Sequence, residues 1–447
     1  MGLFKSSPKL AQPPLPNLAI HLYNPTDKVF KPDDVVTGHI SLAPIIPITP
    51  YALEVSLFGQ SLIWLRTSHR KNSNSMMDYY HWRDNAPLFE VSENVLPSPS
   101  KKEESMTVYQ PGQTYTFPFH FRFPAGTRNS RLGQYKQDSD ERWTVTPHDL
   151  PPTFLHTDKL GDATEPDYAK IEYGVRVKLI CPGIGVVQGQ NLIDLTTTAP
   201  VLFQPMNRNP QHILDGPISV LRYPKTFTFQ SSILTGQQPS QIGFRQAMHD
   251  RFSSTTPKVD FEAALDMPDV LASGSEFRFR ASFHVLSKTD SVSHIPPIQF
   301  RVLKLDLLDF TFVRAPRDED ASTFRDGHHR SNKYDFMPPP DAPFGKYGRE
   351  NEDYSERKTH LNCLPDSAAV ELEEVPSYDE KKKGLEQAKS CEVWFTARVP
   401  GFTPPNFKSF AITRAYRVKV KLGVEVGGKQ FVLEAESHVR EMGSVPA

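Results

Sequence analysis

Cysteine is scarce in this chain of 447 residues: Cys181, Cys363 and Cys391 are far apart and odd in number. That excludes a disulfide framework and a Cys-x-x-Cys metal site, and it predicts a reducing compartment. No apolar run approaches the ~18 residues needed to span a bilayer, and no apolar secretory core follows Met1. A cytosolic, cytoplasmic protein is therefore expected. Charge of one sign is also lacking. The formal net charge is −1, so no general field recruits nucleic acid and none is expected as a partner. Glycine is outnumbered by proline, 24 against 41, which favours strands and loops over helices. There is no G-x-S-x-G elbow, H-E-x-x-H pair, P-loop or G-x-G-x-x-G turn after a strand. The expectation is a protein that is not an enzyme, with no cofactor and no metal. His328-His329 is an isolated pair in a polar stretch, where two solvated side chains are the simpler reading than a ligand pair.

A motif occurs twice in the chain. Leu150-Pro151-Pro152-Thr153-Phe154 is followed by Tyr173-Gly174-Val175-Arg176-Val177-Lys178-Leu179, and Thr403-Pro404-Pro405-Asn406-Phe407 by Tyr416-Arg417-Val418-Lys419-Val420-Lys421-Leu422. The period of two places Tyr, Val, Val and Leu on one face, as in a half-buried strand. The double proline gives a rigid corner before it. Phenylalanine is plentiful, at 29. Tyr115, Phe117, Phe119, Phe121 and Phe123 alternate along one predicted strand, and Phe277, Phe279, Ala281, Phe283 and Val285 along another. Pro111-Gly112 and Gly274-Ser275 launch these two strands, and Gly427-Gly428 predicts a hairpin.

Further alternating runs lie at Leu18–Leu22, Val36–Leu42, Tyr51–Gly59, Leu303–Leu307, Val393–Val399 and Phe431–Ala435. Polar stretches without period separate them: 67–85, 97–106, 126–146 and 230–257. From Arg314 to about Ser390 the alternation is lost among Asp, Glu, Lys, Arg and Pro, which predicts a disordered insert. Single cores seldom exceed ~250–300 residues, so the expected architecture is all-β, with two tandem β-sandwich lobes carrying long polar insertions. The expected boundaries are a flexible leader at 1–16, a first lobe at 17–205, a linker at 206–216 and a second lobe at 217–445 containing the insert 314–390.

The chain resembles the arrestin family, specifically the fungal α-arrestins or arrestin-domain-containing proteins. Phe30-Lys31-Pro32-Asp33-Asp34-Val35-Val36-Thr37-Gly38 is similar to the family's F-x-P-G-D-x-V-x-G opening, with Asp33 where a glycine is usual. Leu53-Glu54-Val55-Ser56-Leu57-Phe58-Gly59, Pro111-Gly112 through Phe123-Pro124, Leu150-Pro151-Pro152-Thr153-Phe154 and Ile171-Glu172-Tyr173 follow in the family's order. The likeness is good over about 17–205 and weaker over 217–445. It implies two arrestin-type, immunoglobulin-like lobes in a non-catalytic cytosolic adaptor. Such an adaptor links plasma-membrane transporters or receptors to a WW-domain HECT ubiquitin ligase for ubiquitin-dependent endocytosis, and is recruited to the plasma membrane or endosomes. A carbohydrate-active or lectin-like β-sandwich is the alternative that one sequence leaves open.

Three groups of residues stand out as functional candidates. Val375-Pro376-Ser377-Tyr378 resembles the family's variant proline–tyrosine ligand of WW domains, with Val where P-P-x-Y has its first proline. Against it stands an incidental Pro and Tyr in an acidic loop. Lys381, Lys382 and Lys383 follow closely and are candidate ubiquitin acceptors, or else ordinary solvated charges. Met1-Gly2-Leu3-Phe4-Lys5-Ser6 fits the acylation pattern M-G-x-x-x-[ST], which makes Gly2 a candidate myristoylation site and predicts weak peripheral membrane contact.

Overall fold

The alternating stretches become strands, and backbone pairing extends well past them. A computed structural model describes residues 15–69, 78–97, 107–129, 141–144, 147–157, 168–181, 193–205, 220–237, 255–316, 350–379 and 384–443. Among these residues there is no α-helix, and the one helical element is a 3-10 turn at Ser232–Thr235. Two compact units divide the chain. One comprises Met1–Met206, Val313–Asp353 and Lys408–Ile412; the other comprises Asn207–Phe312, Tyr354–Phe407 and Thr413–Ala447.

The first unit holds β1 (Asn17–Leu22), β2 (Val29–Phe30), β3 (Val35–Ala43), β4 (Ala52–His69), β5 (Asp78–Asn94), β6 (Tyr115–Arg122), β7 (Phe154–Thr157), β8 (Tyr168–Cys181) and β9 (Ile193–Phe203). One sheet runs β1-β3-β6 and the other β2-β9-β8-β4-β5, with β7 also paired to β8. Along β6 the rings of Phe117, Phe119 and Phe121 are buried while Thr116, Pro118, His120 and Arg122 are exposed. Tyr173 of β8 sits among Phe89, Phe123 and Phe203, at ring-centroid distances of 6.1, 5.9 and 4.8 Å. Room for it comes from Gly59 on β4, where a Cβ would lie 2.5 Å from the Tyr173 ring and 2.8 Å from Phe89.

Wholly or mostly in the second unit lie β10 (Val220–Gln230), β11 (Lys258–Pro268), β12 (Val270–Ala272), β13 (Glu276–Lys288), β14 (Ile298–Pro316), β15 (Glu350–His360), β16 (Cys363–Leu364), β17 (Ser367–Val370), β18 (Glu373–Asp379), β19 (Gly384–Arg398), β20 (Phe407–Lys408), β21 (Ile412–Val426), β22 (Lys429–Val439) and β23 (Glu441–Gly443). One sheet runs β10-β11-β13-β19-β16 with β18 also on β19. A second runs β15-β14-β21-β20 with β17 on β14 and β22 on β21, and β12 pairs with β23. Phe261, Phe279, Phe283, Phe300, Phe395, Tyr416, Val418, Val420 and Leu422 share the core between them. The expected hairpin at Gly427-Gly428 is present, both glycines having positive φ, 54° and 82°.

Both units contain the same local device. In the first, β2 runs parallel to the end of β9, pairing Phe30 with Phe203; a turn follows with Asp33 at φ 67°, and β3 begins. In the second, β12 runs parallel to β23, a turn follows with Gly274 at φ 72°, and β13 begins. The Pro-Pro corner then closes on the last strand in both. The Thr153 N–H donates to the Phe203 carbonyl while its Oγ1 accepts from the Phe203 N–H, each at 2.8 Å. Asn406 holds the same place after its prolines: Nδ2 donates to the Arg440 carbonyl at 2.9 Å, and Oδ1 accepts from the Met442 N–H at 2.7 Å.

Two stretches expected to lack regular structure are paired as strands instead. Residues 67–85, expected as a loop, include the end of β4 and the start of β5, paired from Thr67↔Tyr80 to His69↔Asp78. Among the described residues β8 pairs with β4 no further than Trp64↔Tyr168, and beyond that point the described ladder is that of β4 with β5. The insert expected to be disordered at 314–390 contains the end of β14, the whole of β15, β16, β17 and β18, and the start of β19. The described side chains of β15 to β18 are mostly exposed, so their order comes from backbone ladders rather than buried apolar area. Residues 317–349 lie outside the described residues.

One buried charge ties β15 to β14. The Asp306 side chain on β14 is 1% exposed, and its Oδ2 lies 3.1 Å from Lys358 Nζ and 3.4 Å from Lys304 Nζ. Its Oδ1 lies 3.3 Å from His360 Nδ1. Burial pushes this carboxyl up, but bonds from Lys358, His360 and Lys304 outweigh burial and hold it below its ordinary value.

Candidate functional site

Val375, Pro376, Ser377 and Tyr378 form the middle of β18, which pairs antiparallel with the start of β19: Val375↔Ala388, Pro376↔Gln387, Ser377↔Glu386 and Tyr378↔Leu385. The motif is therefore ladder-paired backbone, not part of a disordered insert as expected. Lys381, Lys382 and Lys383 fall between the two strands and, like Gly2, lie outside the described residues.

Neighbouring strands define what holds this pair. β19 pairs with β13 only from Arg398, opposite Glu276, to Ser390, opposite His284. From Lys389 to Gly384 the described partner of β19 is β18 alone. Residues 373–379 and 384–390 thus form a two-stranded ribbon continuing past the edge of a sheet. Its base is well anchored: Leu372 packs against the second core, and Cys391, opposite Phe283, is 7% exposed. Burial, with the nearby Glu373 adding to it, pushes the Cys391 thiol up to about 12, so it stays protonated and acts as a small packing group.

Glu371, Glu373 and Glu374 are exposed at the start of the ribbon. Any partner reaching the motif from this side meets three carboxylates before Val375. Along the same edge of β19, β16 sets Leu364 opposite Thr396; Leu364 is 77% exposed, and Trp394, two residues nearer the ribbon, is 50% exposed. Arg280 lies over the Trp394 ring at 5.6 Å and donates to Asp266 and Glu392. Trp394 was hidden in the sequence because it falls on the polar register of an otherwise regular strand, where nothing distinguishes it from the residues around it.

Among the described residues no three His, Cys, Asp or Glu side chains stand together as a ligand set for a metal ion, and no helix is long and apolar enough to cross a membrane. No protein-family model matches the chain, and no curated protein matches it. What is defined is a class: an all-β, sandwich-like protein of two units, built with a recurring proline corner and carrying a proline–tyrosine ribbon on the second.

Proposed function

We propose that the chain is a non-catalytic cytosolic adaptor of the α-arrestin kind, joining membrane transporter or receptor cargo to a HECT-type ubiquitin ligase through that ligase's WW domains. The observation that carries this reading is the device built in both units: a short parallel pairing, a left-handed turn, and a Pro-Pro corner clamped to the last strand. It lies on the residues that resemble the arrestin motifs, in the same order, and it recurs where that likeness is weaker. Val375-Pro376-Ser377-Tyr378 is the ligase contact in this reading. Pro376 presets an extended backbone, and Tyr378 supplies the ring that a WW groove takes. Glu371, Glu373 and Glu374 favour a WW domain with a basic rim, making association fast and salt-sensitive. Lys381, Lys382 and Lys383 are the acceptors, and myristoylation of Gly2 adds weak, reversible contact with the plasma or endosomal membrane.

The test is capture of the full chain by purified WW domains of a HECT ligase, together with cargo turnover in cells. Tyr378→Ala should abolish capture and stop both ubiquitylation of the adaptor and endocytosis of cargo. Val375→Pro, which completes P-P-x-Y, should tighten capture. Unchanged capture and turnover with Tyr378→Ala would remove the ligase contact from this segment.

A further inference from the structure

We infer that the β18–β19 ribbon is a closed form of the proline–tyrosine motif, and that the ribbon must unzip before a WW domain can dock. This rests on the ligase-contact reading above and adds its regulation.

The two uses of the segment are geometrically exclusive. A WW groove takes a polyproline II backbone, three residues per turn with no internal hydrogen bonds and the chain open all round. β18 instead presents a period of two, with its backbone committed to β19 in a register that runs unbroken from Glu373↔Ser390 to Asp379↔Gly384. While that register stands, one whole edge of Val375–Tyr378 is covered by Leu385–Ala388.

The closed form is also weakly held. A two-stranded hairpin without a third strand is marginally stable in water, and among the described residues no strand but β18 pairs with β19 from Gly384 to Lys389. Pro376 has no N–H to give the ladder and prefers a φ nearer to polyproline II than to a strand. A regular antiparallel ladder accommodates such a residue at a non-exchanging position. The bonds on either side then fall to Val375 with Ala388 and Ser377 with Glu386. Opening can stop at the base, because Leu372 and Cys391 are held by the second core. The ribbon is thus a local two-state element: closed, it hides the motif; open, it frees the motif without disturbing the sheet. If the motif is free in one molecule of ten, apparent affinity falls about tenfold.

The test measures the affinity of a purified tandem WW pair for the full-length chain in four forms. These are the wild type, Glu386→Pro, Ala388→Pro, and Asp379→Cys paired with Gly384→Cys. The proline variants break the ladder from the β19 side and leave the motif's own residues intact. Asp379 and Gly384 face each other in register, and the Cα separation of such a pair suits a disulfide that clamps the ribbon shut. The expected result is binding about tenfold tighter or better for either proline variant. Oxidised cysteine-pair protein should bind about tenfold weaker or worse than the wild type treated alike, and reductant should restore it. Unaltered denaturation transitions in all four forms confirm that only the ribbon has changed. Equal affinity for all forms, oxidised and reduced, overturns the switch and leaves ligase docking standing. Absence of binding even by both proline variants overturns the docking reading, and the switch with it.

Discussion

The hydroxyl of Tyr173 donates to the carbonyl of Pro151 at 2.6 Å, in the middle of the first core. Tyr416 repeats the contact in the second unit, donating to the carbonyl of Pro404 at 2.8 Å. Both tyrosines are 1% exposed, and burial pushes both phenols above their ordinary value, so each hydroxyl keeps its proton at neutral pH. The first residue of a Pro-Pro pair thus receives the bond that fixes the corner against the strand. Tyr173→Phe keeps the ring and leaves the buried Pro151 carbonyl without its donor, which costs about 1–3 kcal/mol, whereas Tyr416→Phe does so at the exposed Pro404, where water can take the place of the hydroxyl, and costs about 0.5–1.5 kcal/mol. Denaturant unfolding of each variant should show that loss. A change under a few tenths of a kcal/mol would mean that the corner stands without the hydroxyl.

The turn before β13 should tolerate no side chain. Gly274 has φ 72°, and a Cβ there would lie 3.3 Å from the Cα of Gly401. Gly274→Ala combines left-handed strain with that close approach and should cost about 1–2 kcal/mol. Asp33 already carries a side chain at φ 67° in the first unit. Asp33→Gly should therefore lie on the other side of neutral, matching or slightly raising the stability of the wild type. Thermal unfolding of the two variants in parallel measures the contrast.

Phe119 on β6 is 4% exposed, with its ring 5.9 Å from that of Phe121. Phe119→Ala should lower stability by about 3–5 kcal/mol. Loss of soluble full-length protein on expression would carry the same meaning. An unfolding midpoint equal to the wild type would show that this ring contributes nothing to the core.

Asp306 should make the second unit acid-sensitive. Its folded pKa lies below the ordinary carboxylate value, so its contribution is complete above the unfolded-state pKa of about 3.9 and disappears as pH falls from there through the folded value. Asp306→Asn should destabilise by about 1–2 kcal/mol at neutral pH. That is less than for a fully buried pair, because Lys304 and Lys358 are 41% and 45% exposed. The variant's stability should also vary less with pH below 4 than the wild type's. Parallel acid limbs for the two proteins would show that the carboxylate is not a stability determinant.

Strands with strict apolar alternation were legible in the sequence, whereas β5 was not, although Ala86, Leu88 and Phe89 on it are buried, because its apolar residues do not keep the period. Phe117, Phe119 and Phe121, or Phe279 and Phe283, alternate because every second residue must leave water. β10 escaped notice although Tyr223, Phe227 and Phe229 keep its period, because Pro224 interrupts the run and most of its side chains at this sheet edge are exposed. β15 through β18 left no apolar pattern at all. Their described side chains are largely solvated, and the ladders that order them involve only atoms common to every residue. The candidate site shows the same division. Val375-Pro376-Ser377-Tyr378 could be picked out by residue type, whereas its pairing with Leu385–Ala388 depends on a partner strand that no local pattern announces. Thr153 and Asn406 were passed over for a different reason: one task is performed by two residue types, and only their bonds reveal the equivalence.

The corner and its tyrosine are 22 residues apart in the first unit and 12 apart in the second. By loop-closure entropy the longer tether costs only about 0.5 kcal/mol more, less than the hydrogen bond it has to bring together. Chain length between these two fixed points is therefore nearly free to drift, whereas the points themselves are not. A fluorescent reporter or an affinity tag placed between Thr157 and Tyr168 should leave the first unit intact. Over longer times, the same interval is where relatives of this chain can lengthen without unmaking the fold.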